Sequence, residues 1–216
     1  KMAINWIESE ITEHTRWTDV LASLKFKGDV LPYTAGQFTK VGLKIDGELI
    51  SRPYSYVSSP NEDFLEIIYV NVPDGVLTPK LHDLKVGDKL FTMDKASGFF
   101  VMDEVPDGKN LWMLATGTGL GVFISLLKTS APWERFDNII LVHGVRNHNE
   151  LVYQEQIAEF KKKYRDDTNL PRPKQWSGWC LSPLSIEFWV GDKYRIHERL
   201  KYNKVSNDWK KEILYP

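Results

Sequence analysis

Cysteine is nearly absent: of 216 residues only Cys180 carries a thiol. No internal disulfide can form, and a reducing compartment is the simple expectation. No basic residue crowds Cys180 in sequence, so it reads as a small buried hydrophobe rather than a reactive thiolate. Long apolar runs are absent too. None approaches the roughly 18 residues that a spanning helix needs. The start, Lys1-Met2-Ala3-Ile4-Asn5-Trp6-Ile7-Glu8, has no apolar stretch of the signal-peptide kind. The expectation is therefore a cytoplasmic protein with no membrane partner. Excess charge of one sign is also missing, since 28 basic residues face 29 acidic ones. That balance gives no reason to expect nucleic acid as a partner. No internal repeat, low-complexity tract or metal-ligand set is visible.

The remaining composition is that of an ordinary globular chain, 42% apolar and 26% charged. The length suits one large or two small domains with a substantial core. Tryptophan is abundant, at 8 residues. Core packing and stacking on flat ligands both use such rings, and composition does not decide between them.

The first hundred residues read as strands. Trp17 to Lys27 alternates through Val20, Ala22, Leu24 and Phe26, and Gly28-Asp29 stops it. Gly36 to Leu43 is a looser strand, and Asp46-Gly47 is a strong hairpin turn. Ser51–Ser58, Phe64–Val72 and Val86–Phe91 continue the series, with a short helix over Thr78–Leu84. Short strands at this spacing predict a small antiparallel β barrel. Near Lys109 the pattern changes. Asn110 to Ala115 is a continuous apolar run, as in a strand buried on both faces. A glycine-rich turn follows, then a helix over Val122–Lys128, a buried strand over Phe136–Gly144 and a helix over Asn149–Tyr164 bearing Leu151, Ile157 and Phe160. Strand, helix, strand, helix is how a doubly wound parallel sheet begins. About five strands would complete such a sheet. After Pro171-Arg172-Pro173 comes a Trp-rich stretch and a strand-like run instead. The reading is thus a β barrel over 1–105, a partial α/β nucleotide-binding domain over 106–166 and a short β tail over 167–216.

Two constellations carry chemistry. In Arg52-Pro53-Tyr54-Ser55, alternation sets Arg52 and Tyr54 on one strand face and Ser55 on the other. A flavin asks for an aromatic face, a cation for its pyrophosphate and a small hydroxyl near N5. An ordinary amphipathic strand accounts for these four residues equally well. Gly117-Thr118-Gly119-Leu120-Gly121 lies between a strand and a helix, where glycines admit a phosphate to the backbone and to the helix amides. A plain tight turn is the bland alternative.

Taken in order, these stretches resemble the bacterial ferredoxin/flavodoxin–NADP reductase family. The likeness runs from about Trp6 to Asp166. It is carried by Leu31-Pro32-Tyr33-Thr34-Ala35-Gly36-Gln37-Phe38, Arg52-Pro53-Tyr54-Ser55-Tyr56, Val72-Pro73-Asp74-Gly75, Ala96-Ser97-Gly98-Phe99-Phe100 and Leu114-Ala115-Thr116-Gly117-Thr118-Gly119. The resemblance implies an FAD-binding barrel, NADPH as hydride donor, and ferredoxin or flavodoxin as electron acceptor. It places Arg52 on the FAD pyrophosphate, Pro53 and Tyr54 along the isoalloxazine, and Ser55 near flavin N5. Val76, Leu77 and Thr78 would offer amides to phosphate. Thr118 would lie between flavin and nicotinamide, making Ser55 and Thr118 the catalytic pair. Arg146, beside Val145, would meet the NADP 2′-phosphate, where a planar guanidinium suits the anion. Ile68 stands where the family sets a ring against the cofactor, and Val122 where a proline is common.

Past Asp166 the likeness changes. The family's further 2′-phosphate arginines, its Cys-Gly-Asn-Pro-type strand end and its closing aromatic are not found. Trp176-Ser177-Gly178-Trp179, the run Ile186 to Arg199 and the stretch Trp209 to Pro216 resemble instead the end of pyridoxamine 5′-phosphate oxidase, an FMN-binding split-barrel homodimer. That resemblance would put Trp189 and Arg199 on FMN, and Arg195 and His197 on pyridoxal phosphate, with Val190 replacing the usual Gln. It also implies a homodimer through the tail. A natural fusion, an engineered chimera and an assembly artefact all fit the joint near Asp166-Asp167-Thr168. The resemblance over Trp6 to Asp166 implies an FAD-dependent NADPH oxidoreductase. The alternatives are an FMN-dependent pyridoxamine-phosphate oxidase and a non-catalytic FAD-binding module.

Overall fold

The computed structural model describes residues 5–164, 184–190, 198–206 and 208–214. It falls into two compact units, Lys1–Asp166 and Asp167–Pro216.

The first unit opens with β1 (Trp6–Arg16), β2 (Leu21–Lys27), β3 (Phe38–Ile45), β4 (Glu48–Ser55) and β5 (Leu65–Val70). Helix α1 (Thr78–Asp83) and strand β6 (Lys89–Met93) follow. The six strands form one antiparallel sheet in the order β4-β3-β6-β1-β2-β5. A bridge between Tyr56 and Ile67 joins the outer strands, and the Val57 amide donates to the Glu66 carbonyl at 2.8 Å. The sheet thereby curls into a half-barrel. Period-2 patterning explains its interior: Ala22, Leu24 and Phe26 of β2 meet Ile11, Val41, Ile67 and Leu90, all without exposed surface. Asp46 (φ 51°) and Gly47 (φ 85°) make the anticipated hairpin with both central residues left-handed, the geometry that matches strand twist.

Strands β3, β4 and β5 shift by one to three residues from the sequence reading, two further strand starts are set by turns, and one strand was not expected. The Trp17 and Thr18 amides both donate to the Leu21 carbonyl, and Thr18 Oγ1 accepts from the Leu21 amide at 2.9 Å. This turn delays β2 to Leu21 and leaves Val20 exposed. Val86 and Gly87 likewise belong to a turn, closed by the Lys85 amide donating to the Asp88 carboxylate, so β6 starts at Lys89. Strand β1 went unread because its alternation is mostly Glu, Thr and His, with Ser9 and Ile11 turned inward.

The chain continues with β7 (Asn110–Thr116), α2 (Leu120–Leu127), α3 (Ala131–Arg135), β8 (Asn138–Gly144) and α4 (Gln154–Tyr164). Strands β7 and β8 are parallel, paired in register from Asn110↔Asn138 to Thr116↔Gly144. The expectation that β7 is buried on both faces is corrected. Leu111, Met113 and Ala115 are buried, but Trp112 is 51% and Leu114 68% exposed. Side chains of all three helices join the one cluster that covers Leu111 and Met113, so the strand alternates like a one-sided sheet. The helix read from Asn149 is corrected as well. A single 3₁₀ turn spans His148–Glu150, and α4 begins only at Gln154, after Tyr153 at φ 59°.

The second unit contains β9 (Ser185–Val190), β10 (Glu198–Val205) and β11 (Asp208–Leu214), antiparallel in the order β11-β10-β9. Phe188 and Tyr202 meet edge to face with centroids 5.9 Å apart.

Candidate functional site

Strand β4 is an edge strand, which is why it tolerates Pro53, a residue with no N–H to give a ladder. Around it, Arg52 and Ser55 are exposed and Tyr54 is half-buried against the barrel cluster. Arg52 Nη1 donates to its neighbour's carbonyl at Ser51 (2.8 Å), which engages one arm of a five-donor fork. Burial pushes the Tyr54 hydroxyl up, and the Arg52 charge partly offsets this.

Beyond Ser55 the chain dives inward through Tyr56, Val57, Ser58 and Ser59, all buried. This stretch meets α2. A Cβ on Gly121 would lie 2.9 Å from both Val57 Cγ2 and Ile68 Cγ2, so only glycine lets the helix approach this closely. Ser125 Oγ donates to the Ser58 carbonyl at 2.6 Å and extends the seam. Ile68 is buried in this seam, its side chain turned to the helix. The seam thus joins the continuation of the Arg52–Ser55 strand to the helix that follows the glycine turn.

The glycine turn itself is open. Gly117 has φ 50°, and no atom lies within 4 Å of the position a Cβ would take on Gly117 or Gly119. Thr118 between them is half-buried. His143 Nε2 lies 2.9 Å from the Gly117 carbonyl, which can only accept, so Nε2 donates and ties the turn to β8. Gly144 stands beside Thr116, and Val145 and the exposed Arg146 follow it. The Arg146 amide donates to Glu150 Oε2 (3.3 Å) and Asn147 Nδ2 to Glu150 Oε1 (2.8 Å). Thr118 and Arg146 thus each follow the carboxyl end of one of two parallel strands, the edge at which open α/β sheets take their ligands.

A second backbone cradle is the loop before α1. The Val72 amide donates to Thr78 Oγ1 (2.9 Å) and the Gly75 amide to the Val72 carbonyl (2.8 Å). A Cβ on Gly75 would fall 2.9 Å from that carbonyl. Val76 is exposed, Leu77 is buried, and Thr78 starts the helix, so the first amides of α1 have no partner within it.

The tail residues are placed only in part. Trp189 lies on β9, paired in register with Arg199 of β10. Arg199 Nε donates to Glu187 Oε1 at 2.6 Å. Arg195 and His197 fall outside the described residues.

Sequence reasoning missed two features. One is the seam role of Gly121, although the residue stood inside the quoted glycine cluster. The other is a buried polar group, in which Tyr153 Oη donates to Glu66 Oε1 at 2.8 Å. Its signal was Glu66 alone among apolar residues in Leu65-Glu66-Ile67-Ile68. Burial holds the Glu66 carboxyl above its ordinary range, against the pull of Lys128, whose ammonium is 3.8 Å away.

Residues 8–94 match the family model for the oxidoreductase FAD-binding domain, and residues 176–216 the pyridoxine 5′-phosphate oxidase C-terminal dimerisation region. The chain is 49% identical over 160 residues to a flavodoxin/ferredoxin–NADP reductase of Shigella flexneri, covering 74% of this chain and 64% of that one. Identity to the reductase of Escherichia coli K12 is 48% over the same shares. Among solved structures, a ferredoxin–NADP+ reductase from Neisseria gonorrhoeae with bound FAD and NADP superposes with a TM-score of 0.70 at 30% identity, covering 74% of this chain and 66% of that one. The chain thus spans 64%, less than two thirds, of the length of these curated relatives. Over its N-terminal 74% the chain is homologous to the bacterial ferredoxin/flavodoxin–NADP reductases.

Proposed function

We propose that this chain binds FAD on its half-barrel, accepts hydride from NADPH, and passes electrons to a ferredoxin or flavodoxin. The observation that carries this reading is the Gly121 seam, which packs the helix of the open glycine turn against the continuation of the strand bearing Tyr54 and Ser55. The residues present fit the cofactor: an exposed guanidinium, a half-buried ring and an amide-bearing loop. FAD, when bound, supplies the two-electron and one-electron chemistry. Arg52 grips the pyrophosphate through its fork, aided by the amides of Val76, Leu77 and Thr78. Tyr54 covers the ring system, with Pro53 stiffening the strand beneath it. Ser55 offers its hydroxyl to the flavin nitrogen, and Thr118 keeps the nicotinamide at working distance. Val145 and Arg146 hold the adenosine end, the guanidinium on the 2′-phosphate.

Two steps test this. Denaturing the purified protein should release FAD near one per chain. Anaerobic NADPH should then bleach the native yellow protein. FAD that NADPH leaves oxidised would make the chain a flavin-binding module without turnover, a reading favoured by the uncovered Trp112 and Leu114 face. Released FMN, with pyridoxamine-phosphate-dependent oxygen uptake, would move the function to the tail.

The tail itself we assign to self-association. Its support is the match to a dimerisation region and the exposure of Phe188 and Ile213 on a sheet too thin to cover them. Sedimentation should give a dimer that Ile213→Asp returns to monomer. A wild-type monomer at all concentrations would remove this assignment.

A further inference from the structure

The loop that carries Arg146 has an anchor far from Arg146 itself. It leaves β8 at Gly144 and ends at Tyr153, immediately before α4. Inside the loop, Glu150 ties the Arg146 amide and the Asn147 side chain together, so these residues move as one piece. One end of that piece is fixed by the parallel pairing of β8. The other is fixed at Tyr153, an aromatic residue at φ 59°, a conformation bulky side chains rarely adopt. Tyr153 is 4% exposed. Its ring lies 5.0 Å from Trp17, and its hydroxyl donates to Glu66 on β5, which is 1% exposed. The periodicity of Leu151, Ile157 and Phe160 favours one unbroken helix from Asn149. The left-handed residue stops that helix, and the buried hydrogen bond and ring contact repay its backbone cost.

We propose that Tyr153 and Glu66 are positioning residues that hold the Arg146 loop against the barrel and thereby set the affinity for a 2′-phosphorylated adenosine. The proposal rests on the reading of Arg146 as the 2′-phosphate contact. Without the Tyr153 hydroxyl, residue 153 relaxes toward right-handed backbone. Helix α4 then grows backward into 151–153 and draws Arg146 away from the strand ends. Glu66 acts on the loop through Tyr153, and its ion pair with Lys128, 3.8 Å away, is a separate contact. Its second oxygen, Oε2, makes no hydrogen bond among the described residues, so an amide in its place keeps the acceptor that matters.

The test uses the full flavin-loaded chain and calorimetric binding of 2′-phospho-AMP, with 5′-AMP and FAD content measured alongside. Tyr153→Phe should weaken 2′-phospho-AMP by about tenfold, the worth of one buried hydrogen bond. FAD content should stay unchanged, and far-UV dichroism should gain helix signal. Glu66→Leu should reproduce the loss and Glu66→Gln should rescue it, which a general packing role would not predict. This pair decides the matter if Tyr153→Phe fails to fold. Arg146→Ala separates the two layers. If it loses 2′-phospho-AMP binding while Tyr153→Phe and Glu66→Leu bind like wild type, the positioning proposal is overturned and the Arg146 reading stands. If Arg146→Ala itself binds like wild type, both fall.

Discussion

Phe26 in the half-barrel has no exposed surface, whereas Ile213 in the C-terminal sheet keeps 75% of its own. Both are large apolar side chains on antiparallel strands. The half-barrel solves its burial problem internally. Six strands curl until Tyr56 bridges Ile67, and residues from opposite walls meet in one cluster. Among the described residues the three strands have no opposite wall, and the apolar face of a small sheet needs a second layer before it contributes much. The difference teaches that the first unit buries its apolar side chains inside the barrel, whereas the second leaves Phe188 and Ile213 exposed.

The widest separation should come from core truncation. Phe26→Ala should cost the first unit about 3–5 kcal/mol, since it removes a ring and leaves a cavity the strands cannot close. Ile213→Ser should leave that transition within about 0.5 kcal/mol. Urea denaturation followed by tryptophan fluorescence reads both. Equal midpoint shifts would mean the tail contributes to the first unit's core, and the contrast would collapse.

The next separation concerns anions. Arg52 gives one arm to Ser51 and is otherwise exposed, while Arg199 is held by Glu187. Arg52→Ala should weaken FAD by roughly 10–100-fold, matching about 1.5–3 kcal/mol for a charged hydrogen-bond partner. Arg199→Ala should leave FAD content at the wild-type level. Released-flavin absorbance after gel filtration measures each, and loss of FAD from the Arg199 variant alone would reverse the assignment.

A third test probes the seam. Gly121→Ala places a methyl 2.9 Å from Val57 and Ile68 side chains that are themselves buried. Overpacking of this kind costs about 1–3 kcal/mol. The expected signature is slower flavin reduction by NADPH in stopped flow, with FAD retained, because the helix of the glycine turn is pushed off the flavin strand. An unchanged rate would show that the seam has slack.

Much of this contrast was legible beforehand, and the gaps have physical causes. The half-barrel could be read because its inward positions alternate cleanly and Asp46-Gly47 allows only one sort of turn. Strand β1 could not, since its outward residues are charged and its inward ones include Ser9. The burial of β7 was misread because an apolar run reports affinity for cover, not the presence of cover: Trp112 and Leu114 are as apolar as Leu111 and Met113. The break before α4 was invisible because the helical period of Leu151 is real. What overrides it is a hydrogen bond to Glu66, 87 residues earlier. Arg52, Tyr54 and Thr118 stand in local motifs, whereas the seam that packs Gly121 on Val57 and Ile68 joins residues far apart in the sequence.

The smallest effect is a pH slope that should belong to the first unit alone. Burial raises the Glu66 carboxyl above its unfolded value near 4.5, with Lys128 and Tyr153 pulling the other way. The native state therefore holds this proton more tightly than the unfolded chain does. As pH rises from about 4.5 through the raised native value, the native state must release a proton that the unfolded chain has already lost. Stability falls across that window and levels off above it, never more steeply than about 1.4 kcal/mol per pH unit. Glu66→Gln removes the titration, so its stability relative to wild type should climb over the same window and then stay constant. Denaturation midpoints from about pH 4 to 8 supply the comparison. A wild type that gains on the variant as pH rises would mean that Lys128 and the Tyr153 hydroxyl outweigh burial. The carboxylate would then be a stabilising partner rather than a tolerated cost of anchoring Tyr153.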